Sequence, residues 1–196
     1  MKIIFASGNK GKLKEAREIF QGFEVMSIKD VSPSFGPEET GTSFLQNAVL
    51  KAEAAIRVSG GMAVLSDDSG LVVPALDGEP GVYSSSYGGV EGDDALNRKR
   101  LLCELQDVSD RSAFFLCTAV LMFPDGSAFV TVGRCEGEIG YEEKGSNGFG
   151  YDLLFIPEGL EKTMAELDSG KKNSLSHRGD AFRKMYERIR CFQLQN

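Results

Sequence analysis

Two long stretches suited to β-structure, residues 113–123 and 127–140, constrain the fold of this chain most strongly. Both are rich in apolar and β-branched residues, and only Pro124, Asp125 and Gly126 separate them. A turn of this composition between two such stretches predicts a β-hairpin. The fold therefore contains a sheet with at least one antiparallel pair of strands.

Elsewhere the sequence alternates between predicted strands and predicted helices. Further strands are predicted at residues 2–6, 25–28, 62–65, 71–76 and 152–156. Helices are predicted at residues 13–21, from a cap at Thr42 or Ser43 to Val58, at 95–105, and at 179–194 with Phe192 facing inward. Helices between strands, together with the hairpin, indicate an α/β domain with a mixed β-sheet. A chain of 196 residues fits one domain, or two lobes that share one core.

The charge of the chain limits its partners. The net charge is −7, from 22 basic and 29 acidic residues. We expect no nucleic acid polymer as a partner, because binding to duplex DNA depends on neutralising many phosphates. A small phosphorylated ligand remains compatible with this charge, since a few lysines directed into a cleft are enough to bind it.

The sequence also bears on location. It has neither the N-terminal apolar segment of a signal peptide nor a run of about 18 apolar residues, so we expect no membrane span. The cysteines are widely spaced and form no C-x-x-C pair: Cys103, Cys117, Cys135 and Cys191. This usage favours reduced, structural thiols in a cytoplasmic protein.

A polar glycine loop follows the first predicted strand and consists of Ser7, Gly8, Asn9, Lys10, Gly11 and Lys12. A strand–loop–helix unit directs free N–H groups and the positive end of the helix at an anion. The two lysines add charge suited to a polyphosphate. The loop is not a P-loop, because Ala6 replaces the first glycine and Leu13 replaces the Ser/Thr that would hold magnesium. A solvated turn is the alternative.

Two adjacent carboxylates, Asp67 and Asp68, lie in a polar segment, residues 66–70, that is predicted to be a tight turn. Such a turn offers hard oxygen ligands of the kind that suit Mg²⁺. Glu38 and Glu39, just before the second helix, could add a carboxylate to the same ion. The alternatives are a turn in which Asp and Ser bond their own backbone, and a solvated acidic turn.

Two later segments could recognise a base. In residues 145–152, Phe149 lies between two glycines and Tyr151 follows the second, and the two rings offer a surface for stacking, with Asp152 as a polar edge. In residues 171–179, the donors are Lys172, His177 and Arg178. The alternatives are aromatic rings that belong to the core, and a surface His177 beside a helix cap at Ser176.

Six motifs occur together between residues 7 and 179: S-G-N-K-G-K, E-E-T-G-T-S-F, S-D-D-S-G-L, G-E-P-G-V-Y-S-S-S-Y, G-F-G-Y-D and S-H-R-G. In content, order and spacing they resemble the inosine/xanthosine triphosphate pyrophosphatase family. The resemblance covers nearly the whole chain. It implies hydrolysis of dITP, ITP and XTP to the monophosphate and pyrophosphate, with Mg²⁺ as cofactor. It also implies an elongated mixed-sheet domain over residues 1–196, with flanking helices and two lobes around a central cleft, and a homodimer.

The same resemblance implies roles for individual residues. The loop from Ser7 to Lys12 would bind the triphosphate, with Lys51 near the phosphates. Asp68 would be the proton acceptor and a metal ligand, while Glu38, Glu39 and Asp67 remain open as further ligands. The residues that would contact the substrate are Ser69, Phe149, Gly150, Tyr151, Asp152, Lys172, His177 and Arg178.

For discrimination, we expect donors such as Arg178 to bond a carbonyl at purine C6, where adenine carries an amino group. Two other classes stay open. One is a phosphomonoesterase, or a pyrophosphatase for a different nucleotide. The other is a nucleotide-binding module without catalysis.

Overall fold

The structure, a computed structural model, describes residues 1–193, without the side chains of residues 192 and 193. The last helix is described to Gln193. Its predicted end at Leu194 and the predicted inward side chain of Phe192 therefore lie outside the described residues.

The described strands form one mixed six-stranded sheet, as predicted. In chain order the strands are β1 Lys2–Phe5, β2 Glu24–Ser27, β3 Ala63–Val72, β4 Ser112–Met122, β5 Ala128–Ile139 and β6 Phe155–Pro157. The order across the sheet is β2-β1-β3-β4-β5-β6. Strand β1 pairs in parallel with β2 and β3, whereas β5 and β6 are antiparallel.

The helices are α1 Lys10–Ile19, α2 Ile28–Val31, α3 Phe44–Ile56, α4 Asp94–Glu104, α5 Ser169–Leu175 and α6 His177–Gln193. Helix α3 is capped by Ser43, one of the two predicted positions. The side chain of Ser43 accepts from the N–H of Gln46, whose Oε1 accepts from the N–H of Thr42. Helices α2 and α5 are too short for a clear apolar periodicity, and the sequence did not predict them.

The predicted hairpin is confirmed, since β4 and β5 are neighbours in the sheet. The N–H of Phe123 donates to the carbonyl of Ser127 at 2.8 Å. Asp125 accepts from the N–H of Ser127 at 2.9 Å. Gly126 has φ +85°, a conformation that side-chain-bearing residues rarely adopt.

The predicted turn at residues 66–70 is wrong, because these residues belong to β3. Serine and aspartate favour turns when they bond their own backbone. Here other segments satisfy them: the hydroxyl of Ser66 donates to the carbonyl of Ala48 at 2.7 Å, and both aspartates pair with cations. The polar segment therefore continues a buried strand.

Several element boundaries also differ from the prediction; α3, for example, ends at Ile56 rather than Val58, and α6 begins at His177 rather than residue 179. Helix α1 begins at Lys10 rather than residue 13, because the side chain of Asn9 caps it. The strand predicted at residues 71–76 ends with β3, and Pro74–Leu76 is a 3₁₀-helix, since proline has no N–H for a ladder. The strand predicted at residues 152–156 is Phe155–Pro157, and the backbone turns before it.

The chain divides into two compact units. The first comprises Met1–Asp68, Cys117–Gly133 and the segment from Arg178. In its core the ring of Phe182 packs edge-on against Phe5 and Phe20, at centroid distances of 6.0 and 5.6 Å. The predicted arrangement as a single two-lobed domain stays a prediction.

The second unit comprises Ser69–Leu116 and Arg134–His177. Its core includes Phe115 against Phe155, at a centroid distance of 4.7 Å. All four cysteines are free. Cys117 and Cys135 are buried as expected, whereas Cys103 and Cys191 are exposed on helices. Within residues 1–193, no helix is both long and apolar enough to cross a membrane.

Candidate functional site

The two aspartates of β3 face different partners, because successive side chains of a strand point to opposite faces. The carboxylate of Asp67 is fully buried and pairs through Oδ2 with Lys12 Nζ at 3.0 Å and Arg178 Nε at 3.1 Å. Burial alone would raise the pKa of Asp67, but Lys12 and Arg178 outweigh it and hold the pKa well below its usual range. Asp67 is therefore a buried anion that organises two cations.

Arg178 is the second residue of α6, where the chain re-enters the first unit, and it is almost completely buried. Besides Asp67, its guanidinium contacts Glu15, with Nη1 to Oε2 at 2.7 Å. Burial would lower the pKa of Arg178, but the two carboxylates raise it, so the group stays charged. The structure thus shows Arg178 engaged with carboxylates, and its predicted contact with a purine carbonyl stays a prediction.

Asp68 is held through both of its oxygens by helix α3. Lys51 Nζ donates to Oδ1 at 3.1 Å, and Asn47 Nδ2 donates to Oδ2 at 3.1 Å. Lys51 also donates to Glu39 Oε2 at 2.8 Å. Burial raises the pKa of Asp68, Lys51 and Lys12 partly offset this, and Glu39 raises it further. The result is an oriented carboxylate of elevated basicity.

Asn47 connects this carboxylate to the loop that carries Glu39. Its Oδ1 accepts from the N–H of Gly41 at 2.8 Å while its amide donates to Asp68. A Cβ at residue 41 would lie 2.6 Å from Asn47 Oδ1, so the loop passes closely only because glycine is present. Asn47 and Lys51 are four residues apart and therefore share one face of α3.

The first loop contributes the start of α1. Asn9 Oδ1 accepts from the N–H of Lys12, which leaves the N–H groups of Lys10 and Gly11 in the open first turn. The side chain of Lys10 is exposed. A groove of about 610 Å³ borders the loop, and its lining includes the cations Lys10, Lys14, Arg17 and Lys29. This end of the helix suits an anion.

The acidic side chains of the first unit fit a divalent cation. The carboxylates of Asp68 and Glu39 converge on one ammonium group, so each lies close to the other. Glu38 is exposed. Within the part of the chain that the structure describes, no three His, Cys, Asp or Glu side chains form a complete metal cage. Asp68 and Glu39 are therefore the side chains that could hold a divalent cation here.

A second cluster lies in the second unit, around Asp152. Its Oδ2 accepts from the N–H of Phe149 and from Lys172 Nζ, both at 2.8 Å. Lys172 Nζ lies 4.7 Å from the centroid of the Phe149 ring. A Cβ at Gly148, where φ is +83°, would approach Asp152 Oδ2 to 2.2 Å. The glycine allows the chain to close tightly around this carboxylate.

The two aromatic residues of this segment have different surroundings. Phe149 is partly exposed, whereas Tyr151 belongs to the core and donates its hydroxyl to the carbonyl of Ser84 at 2.9 Å. Burial raises the pKa of Tyr151. The alternative of a core aromatic therefore holds for the ring of Tyr151, whereas stacking by Phe149 stays a prediction.

The remaining predicted substrate contacts lie near the unit boundaries in the sequence. His177 is buried and stacks on Phe115 at a centroid distance of 4.6 Å, so the alternative of a surface histidine is wrong. Ser176 ends α5, where its N–H donates to the carbonyl of Lys172. Ser69 follows Asp68 directly in β3.

The comparison with known families agrees with these features. The sequence model of the Ham1 family matches residues 3–188. The chain belongs to the Ham1 family. Its relatives include the dITP/XTP pyrophosphatase of Oceanobacillus iheyensis, 48% identical over 185 residues, covering 92% of this chain and 93% of that protein. The dITP/XTP pyrophosphatase of Haemophilus influenzae is 47% identical over 186 residues, covering 92% and 94%.

A solved Ham1 structure has the same fold. The Ham1 protein of Staphylococcus aureus superposes with a TM-score of 0.87 at 40% identity, covering 97% of this chain and 98% of that one. The α/β fold and the family predicted from the six motifs are therefore confirmed.

Two polar residues of this Ham1 chain escaped the sequence analysis. Asn47 and Glu15 are buried within helices, where polar residues are uncommon, and each bonds a charged group of the site. The available signal for Asn47 was its position four residues before Lys51. For Glu15, whose partner Arg178 is far away in the sequence, no local pattern indicated a role.

Proposed function

We propose that this chain hydrolyses the deaminated purine nucleoside triphosphates dITP, ITP and XTP to the monophosphate and pyrophosphate. The observation that carries the proposal is the Asp68 carboxylate. It is buried, has a raised pKa, and is fixed by Lys51 and Asn47 in the unit that also contains the cationic first loop. The relatives named dITP/XTP pyrophosphatase support the substrate class.

The triphosphate is bound by the first loop. The open N–H groups at the start of α1 and the exposed ammonium of Lys10 neutralise phosphate oxygens. Lys12 is held by Asp67, so its charge is positioned before any ligand arrives. Lys51 contributes a further positive charge beside Asp68. Phosphoryl transfer depends mainly on such positioning and neutralisation.

Asp68 and Glu39 would hold Mg²⁺, with Glu38 and Asp67 as less supported ligands. Glu39 is favoured over Glu38 because it already meets Asp68 at the ammonium of Lys51. When bound, the ion supplies positive charge for the phosphate oxygens and lowers the pKa of coordinated water.

Asp68 is the proton acceptor in the proposed reaction. The oxygen of a water molecule forms a bond to the α-phosphorus, the bond between the α-phosphorus and the bridging oxygen to the β-phosphate breaks, and the proton of the water passes to Asp68. A raised pKa makes this carboxylate a stronger base than an ordinary aspartate. Lys51 and Asn47 hold it in one orientation throughout.

In the second unit, Phe149 offers the stacking surface, and Lys172 together with Asp152 forms the polar edge. The predicted contacts of Ser69, Gly150, Tyr151 and His177, and that of Arg178 in the first unit, complete the proposed set. A donor directed at the C6 carbonyl of hypoxanthine or xanthine would reject adenine, whose amino group leaves that donor without an acceptor. A cytoplasmic homodimer that acts as one two-lobed domain is also part of the proposal.

The decisive experiment incubates the purified protein with Mg²⁺ and a panel of nucleoside triphosphates, and follows pyrophosphate and phosphate separately. Release of pyrophosphate from dITP, ITP and XTP, but little from dATP and dGTP, is the expected result. Phosphate release without pyrophosphate would instead indicate a phosphohydrolase. Binding of dITP without any product would indicate a module without catalysis.

The site of attack is tested in water enriched in oxygen-18. Attack at the α-phosphorus places the label in the monophosphate, and attack at the β-phosphorus places it in pyrophosphate. Label in pyrophosphate alone would contradict the proposed mechanism.

A further inference from the structure

The peptide groups of Gly150 are clamped by helix α4. The N–H of Gly150 donates to Asp94 Oδ2 at 2.7 Å, and its carbonyl accepts from Arg98 Nη1 at 2.8 Å. Asp94 and Arg98 are four residues apart, so both lie on one face of α4. A carboxylate and a guanidinium on one rigid helix thus hold both polar groups of a single residue.

Gly150 is a position where such a clamp has a large effect. Its φ is +60°, and Gly148, two residues earlier, has φ +83°. Glycine reaches many backbone conformations, so a loop with glycine on both sides of Phe149 has little intrinsic preference for one of them. The orientation of Phe149 therefore depends on the contacts that hold the loop, among them those to Gly150.

Arg98 is itself fixed in place. Its Nε donates to Glu143 Oε1 at 2.8 Å, and the side chain is only 11% exposed. The planar guanidinium donates in several fixed directions, so the Glu143 contact also sets the direction of the bond to Gly150. Lysine at this position would supply one ammonium for both acceptors without that geometry.

Helix α4 orders a second glycine-rich segment in the same way. Asn97 accepts from the N–H of Gly88 at 2.6 Å and donates to the carbonyl of Ser85 at 3.1 Å. Tyr151 donates to the carbonyl of Ser84, which links this segment to residues 145–152, the aromatic loop. One helix therefore supports both loops from adjacent positions.

We propose that Asp94 and Arg98 are positioning residues for recognition of the purine base. By fixing the Gly150 peptides they set the Phe149 ring and keep the N–H of Phe149 on Asp152, to which Lys172 also donates. This inference rests on the proposed function. Without the clamp, substrate binding must order the loop, so affinity and discrimination fall while the chemistry at phosphorus persists.

The test compares Arg98→Ala and Asp94→Ala with the conservative variants Arg98→Lys and Asp94→Asn. In each alanine variant, we expect KM for dITP to rise about tenfold while kcat changes by less than about threefold. The preference for dITP over dATP should also fall. The conservative variants should recover part of the loss, because each retains a donor or acceptor for Gly150. Lys99→Ala, on the exposed side of α4, is the matched control and should behave as wild type.

The double variant sharpens the test. Because both residues fix the same glycine, Gly150, the effect of Asp94→Ala with Arg98→Ala should be clearly smaller than the product of the single effects. If each substitution instead damaged the structure independently, the fold-changes of the two single variants would multiply in the double variant. A full product of the two effects, with unchanged discrimination between dITP and dATP, would overturn the proposal.

A second readout needs no nucleotide. Hydrogen–deuterium exchange of the peptide covering residues 145–152 should speed up in both alanine variants and remain at wild-type rates in Lys99→Ala. Unchanged exchange would overturn the clamp even if turnover changes. Wild-type protein that fails to hydrolyse dITP would contradict the proposed function, and the exchange rates would still decide whether α4 holds the loop.

Discussion

Asn47 donates from Nδ2 to Asp68 Oδ2 at 3.1 Å while its own Oδ1 accepts the N–H of Gly41 at 2.8 Å. One amide group therefore orients the proposed base and positions the loop that carries Glu39. Lys51, one helical turn later, makes the parallel pair of contacts to Asp68 and Glu39.

Replacing Asn47 should impair turnover more than folding. A hydrogen bond to a charged group contributes about 1.5–3 kcal/mol to stability, and we expect the bond to Asp68 to stabilise the transition state by a similar amount. We therefore expect kcat for dITP to fall by about 10- to 100-fold in Asn47→Ala. Asn47→Asp should lose more, because it sets a second carboxylate against Asp68. Steady-state kinetics measures the effect, with Leu45→Ala, which truncates an exposed residue of the same helix, as the control. Wild-type kcat in Asn47→Asp would exclude this role.

Asp68→Asn should remove the proton acceptor and retain the fold. General-base catalysis contributes about 10²- to 10⁴-fold, so we expect a loss of kcat in that range. The asparagine still accepts from Lys51, and Glu39 remains a partner for that ammonium. Pyrophosphate release measures activity, and thermal unfolding together with dITP binding shows that the variant is intact. Activity within a few-fold of wild type would reject the assignment.

Asp67→Asn should act mainly on stability. The change takes a buried carboxylate away from Lys12 and Arg178, and breaking a buried ion pair costs about 3–5 kcal/mol. Urea unfolding at neutral pH measures the loss. Asp107→Asn, at an exposed position on the protein surface, should leave the free energy of unfolding nearly unchanged.

The stabilisation by Asp67 should depend on pH with a defined sign. Its folded pKa lies below the unfolded value, so the unfolded chain binds more protons at acidic pH. The contribution is complete above the unfolded pKa of about 3.9 and is lost as the pH falls toward the folded pKa. Urea unfolding of wild type and Asp67→Asn should therefore converge below about pH 4. A difference that grows on acidification would contradict the assignment.

Lys10 and Lys12 should separate ligand binding from stability. Lys10 is exposed, so Lys10→Ala should raise KM for dITP by about tenfold without changing the free energy of unfolding. Lys12→Ala should raise KM and also destabilise the protein, because Asp67 loses a partner. Kinetics and urea unfolding on the same preparations test the contrast. Equal stability losses in both variants would show that the pairing of Lys12 with Asp67 is unimportant.

Much of the fold followed from the sequence because its signals are local. The hairpin around Gly126 and the cap of α3 at Ser43 depend on residues next to one another. The straight course of β3 through Asp67 could not be predicted, because it depends on a partner, Arg178, that lies 111 residues away. A polar segment remains extended when distant groups satisfy its side chains, and single-sequence patterns do not contain those distances.

The same limit applies to the site. The residue types that make up the first loop and the aromatic loop were evident, since glycines, lysines and aromatics form compact motifs. The supporting contacts were not, because Asn47, Glu15 and Arg98 are unremarkable in their local context and gain their partners only through folding.

Side chains alternate between the two faces of β3, so the number of residues in this strand matters for the site as much as their types. Asp67 and Asp68 have opposite surroundings because they are successive residues of a strand, and the pairing of that strand with β1 from Ala63 fixes which face each of them points to. Deleting or inserting one residue between Leu65 and Asp67 would turn every following side chain to the other face. A deletion there would put Asp68 beside Lys12 and Arg178 and Ser69 in the place of the base, whereas an insertion would put Asp67 in the place of the base and leave Lys12 and Arg178 without their buried carboxylate. In this segment, single-residue insertions and deletions should therefore be far more damaging than most substitutions.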